Sequence, residues 1–107
     1  MTTQNMDITQ PSICIPRVFP NFSHKEIKTI FETIFEEKCI QRIDIVGRNN
    51  KSQNYTRVFI HFKYWPDTEK SNIIRNRLLT KQTVNIVYNE PWFWKCSASR
   101  VPKPNNR

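Results

Sequence analysis

The sequence predicts an α+β sandwich in which a four-stranded antiparallel sheet carries two helices on one face, in the order βαββαβ. Three observations predict it. Residues 55–62, Tyr-Thr-Arg-Val-Phe-Ile-His-Phe, alternate strictly, so Val58, Ile60 and Phe62 share one side of a strand and Tyr55, Arg57, Phe59 and His61 the other. Ile27, Ile30, Phe31, Ile34 and Phe35 recur at helical spacing as one apolar stripe, with Glu32, Glu36 and Glu37 pointing outward. Along the chain the patterns run strand, helix, strand, strand, helix, short hairpin, strand. Each helix has a single stripe to bury, so both must cover the one fully apolar sheet face and leave the other open.

Length and composition bound the rest. A chain of 107 residues is one small domain, and at that size about 65% of the unfolded surface is buried without disulfide or metal staples. Cys14, Cys39 and Cys96 are odd in number, far apart and without a C-x-x-C pairing. They read as reduced, buried thiols of an intracellular protein, with no metal site and no cofactor. No apolar run approaches the roughly 20 residues that span a bilayer, and residues 1–10 lack the apolar centre of a signal peptide, so no membrane role is expected. The net charge of +8 is uneven. Residues 1–37 hold three bases and five acids, whereas residues 38–107 hold fourteen bases and four acids. A surplus of +10 in the later part favours a polyanionic partner.

The elements follow in order. Residues 1–11 are polar, lack periodicity and read as a disordered arm; residues 12–100 form the domain, and residues 101–107 a basic tail. Ile13 and Ile15 face one way and Cys14 the other in a short strand ending near Pro16. Ser23 followed by Glu26 makes a capping box, with Phe22 and Ile27 as a hydrophobic staple, so the first helix starts there. Its acidic outer side would repel phosphates. Residues 39–46 give a second strand, with Ile43 and Ile45 inward and Arg42 and Asp44 outward. Residues 47–54 contain the only glycine, Gly47, and the bases Arg48 and Lys51, a basic loop leading into the strand at 55–62. Pro66, Asp67 and Glu69 mark the start of a second helix, which ends near residues 80–82. Residues 84–88 alternate as a short hairpin arm, and residues 92–98 form the last strand. Lys95 is hard to bury, which favours Phe93, Lys95 and Ser97 outward and Trp94, Cys96 and Ala98 inward; the opposite parity would instead expose Trp92 and Trp94.

The open face therefore displays Arg42, Tyr55, Arg57, Phe59, His61, Phe93 and Lys95 around Cys14, flanked by Arg48, Lys51, Arg100 and Lys103. Flat rings alternating with cations are what a platform for unstacked bases requires. On these residues the chain resembles the RNA recognition motif (RRM) family over roughly residues 12–100. Ile13 to Val18 is similar to the family's hexamer, and residues 55–62 to its octamer. The resemblance implies the ferredoxin-like sandwich and single-stranded RNA binding on the open sheet. Phe59 matches the octamer's second stacking ring, while Arg57 stands at the first ring's position, Cys14 at the hexamer's aromatic, and Tyr55 and Thr56 at the customary base and glycine. Pro91-Trp92-Phe93-Trp94-Lys95 also looks similar to small RRM-like proteins of giant DNA viruses, which implies a host cytoplasm, nucleus or virion as location.

The expected function is non-enzymatic binding of single-stranded RNA, with single-stranded DNA as a related partner. The alternative is a protein-interaction or homodimerisation module, because exposed rings also mark protein interfaces. An enzyme is the least favoured class. His24 and His61 are the only histidines, no Ser-His-Asp or metal-ligand spacing is legible, and one glycine leaves little backbone for a phosphate cradle.

Overall fold

Seven elements form among the described residues, 7–47 and 54–100, of this computed structural model. They are β1 (Ile13–Val18), α1 (His24–Phe35), β2 (Ile40–Val46), β3 (Thr56–Phe62), α2 (Glu69–Leu79), β4 (Val84–Asn89) and β5 (Trp92–Ala98). The sheet has five antiparallel strands in the order β2-β3-β1-β5-β4, which corrects the expected four-stranded βαββαβ sheet. β4, expected as a mere hairpin arm, pairs with β5 from Val84 opposite Cys96 to Asn89 opposite Trp92 and forms an edge. The reason lies in its own alternation. Ile86 is buried and Val84 and Tyr88 pack on the core, so the segment has an apolar face that only sheet membership can cover.

The capping box of α1 forms as its sequence dictates: the Glu26 N–H donates to Ser23 Oγ at 3.1 Å, and the Ser23 N–H donates to Glu26 Oε1 at 2.8 Å. Ile27, Phe31 and Phe35 then reach the core. Phe31 stacks on Trp94 at 6.1 Å, and Phe35 meets Phe62 edge-on at 5.6 Å, so α1 is keyed to both β5 and β3. With Ile13, Ile15, Val58 and Ile60 they form one apolar layer under the helices. Along β1 the register shifts between Ile15 and Val18, so Pro16 falls where no ladder N–H is needed and the strand continues past it.

α2 is held less by its own stripe than expected. Ser71 and Leu78 are its only fully buried side chains, and Ile73 is exposed. The missing support comes from residues 7–11, within the segment expected as an arm; residues 1–6 lie outside the described residues. The Arg75 guanidinium donates to the carbonyls of Gln10 at 2.8 Å and Asp7 at 2.9 Å. Trp65 donates its backbone N–H to Ile8 and its indole N–H to Pro11. Backbone carbonyls finding buried donors order a segment that has no hydrophobic pattern to announce it.

Candidate nucleic-acid interface

β3 supplies two neighbouring outward residues with different fates. Phe59 sits in mid-sheet, opposite Cys14 of β1 on one side and Asp44 of β2 on the other. It is half-buried, flanked by strands rather than covered by a helix. Arg57, one pleat along, is exposed. Both line a concavity of about 710 Å³ whose floor also includes Cys14 and Ser97. Its far wall is the end of α2 and the turn beyond it, with Leu79, Lys81 and Gln82, and its rim carries Arg100. The wall exists because β4 begins its pairing at Val84 opposite Cys96, leaving the end of β5 at Ser97 and Ala98 beside the turn instead of beside a strand.

The electrostatics are one-sided. Arg57, Lys81 and Arg100 line this concavity, and no aspartate or glutamate does. Asp44, the cross-strand neighbour of Phe59, is paired with Arg42 and His61. Burial raises the pKa of the Cys14 thiol on the floor above the ordinary thiol value, against a smaller pull downward from Arg57. Burial likewise pushes the Cys39 thiol up to about 11 and raises that of Cys96.

His61, expected on the open platform, is only 2% exposed. Its Nε2 lies 3.0 Å from Asp44 Oδ2 and its Nδ1 2.7 Å from Ser12 Oγ. A carboxylate can only accept, so Nε2–H donates to Asp44, and in the neutral ring Nδ1 accepts from the serine hydroxyl. Arg42 is occupied as well, with its Nε at 2.9 Å and a terminal nitrogen at 2.8 Å from Asp44 Oδ1. Alternation places His61 and Arg42 on the helix-free face as expected, but His61 is buried there and Arg42, its side chain 39% exposed, is paired with Asp44. Ser12, His61 and Asp44 do form a Ser-His-Asp line that sequence spacing does not reveal. Ser12 is 3% exposed, so its hydroxyl is out of reach of a substrate and the line serves to tie β1, β2 and β3 together.

The remaining expected site residues are dispersed. Tyr55 stacks on Phe19 at 5.6 Å, with the Arg17 guanidinium 5.8 Å from its ring. Phe93 and Lys95 face outward from β5, opposite Val87 and Asn85 of β4, and Trp94 is buried, as the inward and outward assignment of that strand requires. Arg48, Lys51 and Lys103 lie outside the described residues. Of the expected set, then, the fold brings together Arg57, Phe59 and Arg100 with Cys14. It adds Leu79, Lys81 and Gln82, which no periodicity marks because they sit in and beside a turn.

Among the described residues, no helix is long and apolar enough to cross a membrane, and no group of three or more His, Cys, Asp or Glu side chains is placed to hold a metal. Compared with known proteins, the chain matches no family model, no curated protein and no solved structure.

Proposed function

We propose that the protein binds single-stranded RNA without catalysis, stacking a base on Phe59 and holding phosphates with Arg57, Lys81 and Arg100. One observation carries this: a half-buried ring and three cations that have no carboxylate partner among the described residues line the same solvent-open concavity on the helix-free face. A polyanion gains from every one of those charges, and a base stacked on an aromatic ring adds about 1 to 3 kcal/mol. The likeness of Ile13 to Val18 and of residues 55–62 to the two RRM segments points the same way, with the fifth strand as this chain's departure. Titration of short mixed-sequence RNA and its DNA counterpart at low salt tests the reading. Binding that weakens steeply as salt rises is the expected result. No binding of any oligonucleotide would remove it.

A second reading, self-association or docking of a protein partner, is favoured by a different observation. Val87 and Phe93 are cross-strand neighbours, 48% and 50% exposed, and Trp92 beside them is 58% exposed. A dimeric mass in sedimentation that RNA does not alter and that Phe93→Asp abolishes would favour this reading over the first.

A further inference from the structure

The turn that walls the concavity is built against the chain's backbone preference. Lys81 stands at φ 67°, in the left-handed region, immediately after α2 and its C-cap Thr80. Its N–H donates to the Leu78 carbonyl at 3.1 Å, and the N–H of Gln82 donates to the Arg77 carbonyl at 2.9 Å, the paired bonds of a Schellman motif. Glycine is the residue that adopts this conformation without a Cβ clash. The chain instead holds a lysine there, on the lip of a site that already contains Arg57 and Arg100. The position after α1 is a natural control: Glu36 is also left-handed, at φ 60°, yet it lines no part of the concavity.

Three cations around a single concavity are more than one phosphodiester needs. An internal phosphate carries one negative charge, whereas a phosphomonoester carries about −1.5 to −2 at neutral pH and offers three strong acceptor oxygens. A strand running along the whole sheet would be served better by cations spread beneath it. The second pleat of β3 and β2 has no such charge to give, because Arg42 is bound to Asp44. The opposite wall contributes Leu79 and the buried Leu78, so a base resting on Phe59 would meet apolar surface on its other side. One aromatic ring, the apolar side chains at the end of α2 and three cations lining one concavity make a set complementary to one nucleotide bearing a terminal phosphate.

We propose that the concavity is a nucleotide-end site, which takes a nucleotide with a phosphomonoester, its base against Phe59 and its phosphate among Arg57, Lys81 and Arg100. This rests on the RNA-binding reading and refines it. The same chemistry is offered by the phosphorylated end of an RNA strand and by a free nucleoside monophosphate, and the two sources are separable.

The experiment is fluorescence anisotropy with one short RNA sequence labelled internally and prepared with a 5′-phosphate, with a 3′-phosphate, or with hydroxyls at both ends. Calorimetric titration of nucleoside monophosphates accompanies it. One phosphorylated form binds tighter than the hydroxyl-ended form by about tenfold or more, as charge-assisted hydrogen bonds to an extra ionised oxygen require. Lys81→Ala and Lys81→Gly reduce affinity for that form more than for the hydroxyl-ended one. Lys81→Gly and Glu36→Gly both raise the thermal midpoint, and only the first loses end preference, which separates a backbone effect from a charge effect. Equal affinity for all three strands, or a preference that survives Lys81→Ala, overturns the end site while RNA binding stands. If no strand binds but a nucleoside monophosphate does, the RNA reading falls and the site is one for free nucleotide. If neither binds, both fall.

Discussion

The two ends of the helix-free face differ more than their sequence does. At one end Arg57 and Phe59 open onto the concavity, joined by Lys81 and Arg100; at the other, Arg42, Asp44, His61 and Ser12 satisfy one another. Arg57 and His61 belong to the same strand and the same side of it. What separates them is the neighbouring strand: Arg57 lies opposite Val46, which offers no charge, while His61 lies opposite Arg42 and within 3.0 Å of Asp44. A single carboxylate therefore converts half of a cationic platform into a cross-strand brace. Which face a side chain takes is a property of its strand. Whether it is free for a ligand depends on what the adjacent strand brings to it.

The largest effect that would sharpen this contrast is at the open end. Arg57→Ala combined with Phe59→Ala should remove most RNA affinity, because it deletes both the stacking ring and a phosphate contact, with Phe59→Ala alone costing about 1 to 3 kcal/mol. A titration with short RNA checks it, and circular dichroism should show the fold retained, since both side chains face away from the core. His61→Ala should do the reverse. It strips Asp44 and Ser12 of a buried partner and should lower unfolding free energy by about 1 to 3 kcal/mol in urea, with RNA affinity of the folded protein unchanged. A loss of affinity as large as that of Phe59→Ala would break the division between the two ends.

Asp44→Asn is a smaller and signed test. Removing the carboxylate's charge releases Arg42 toward the face, so RNA affinity should rise a few-fold at low salt while stability falls, read by titration and urea unfolding on the same sample. The smallest expected effect is chemical. Because burial raises the pKa of Cys14, its thiolate fraction at pH 7.5 is below that of an ordinary cysteine, so iodoacetamide should react slowly there and faster as pH rises. Cys39 and Cys96 are buried and should lag behind it, and bound RNA should slow Cys14 further.

Much of this architecture was legible before any coordinates. Ser23 and Glu26 announce the start of α1, because a cap is a local hydrogen-bond pattern with its own spelling. The facing of β5 was favoured by one residue, Lys95, against an opposite parity that the alternation alone left open. The strand count did not follow, because residues 84–89 carry the same alternation whether they make a hairpin arm or a sheet edge. What decides is whether β5 itself joins the sheet, and it does so through β1, whose Ile13 and Cys14 lie opposite Ala98 and Ser97. The site was half legible. Arg57 and Phe59 are visible as an interruption of an ordinary solvated strand face, whereas Lys81 and Gln82 enter only because the end of α2 is carried to the end of β5. The burial of His61 was invisible for the same kind of reason: Ser12 lies 49 residues away and Asp44 lies 17 away.

The bonds from Arg75 and Trp65 to residues 7–11 reach further than their position implies. α2 leans on them in place of a full apolar stripe, and its last turn forms one side of the concavity that holds Arg57 and Phe59. Cutting the chain just ahead of Ser12 would leave the guanidinium without either acceptor. Such a truncation would loosen the helix first at amides that hydrogen exchange can follow, and would slacken the concavity from a segment 65 to 68 residues away in the chain.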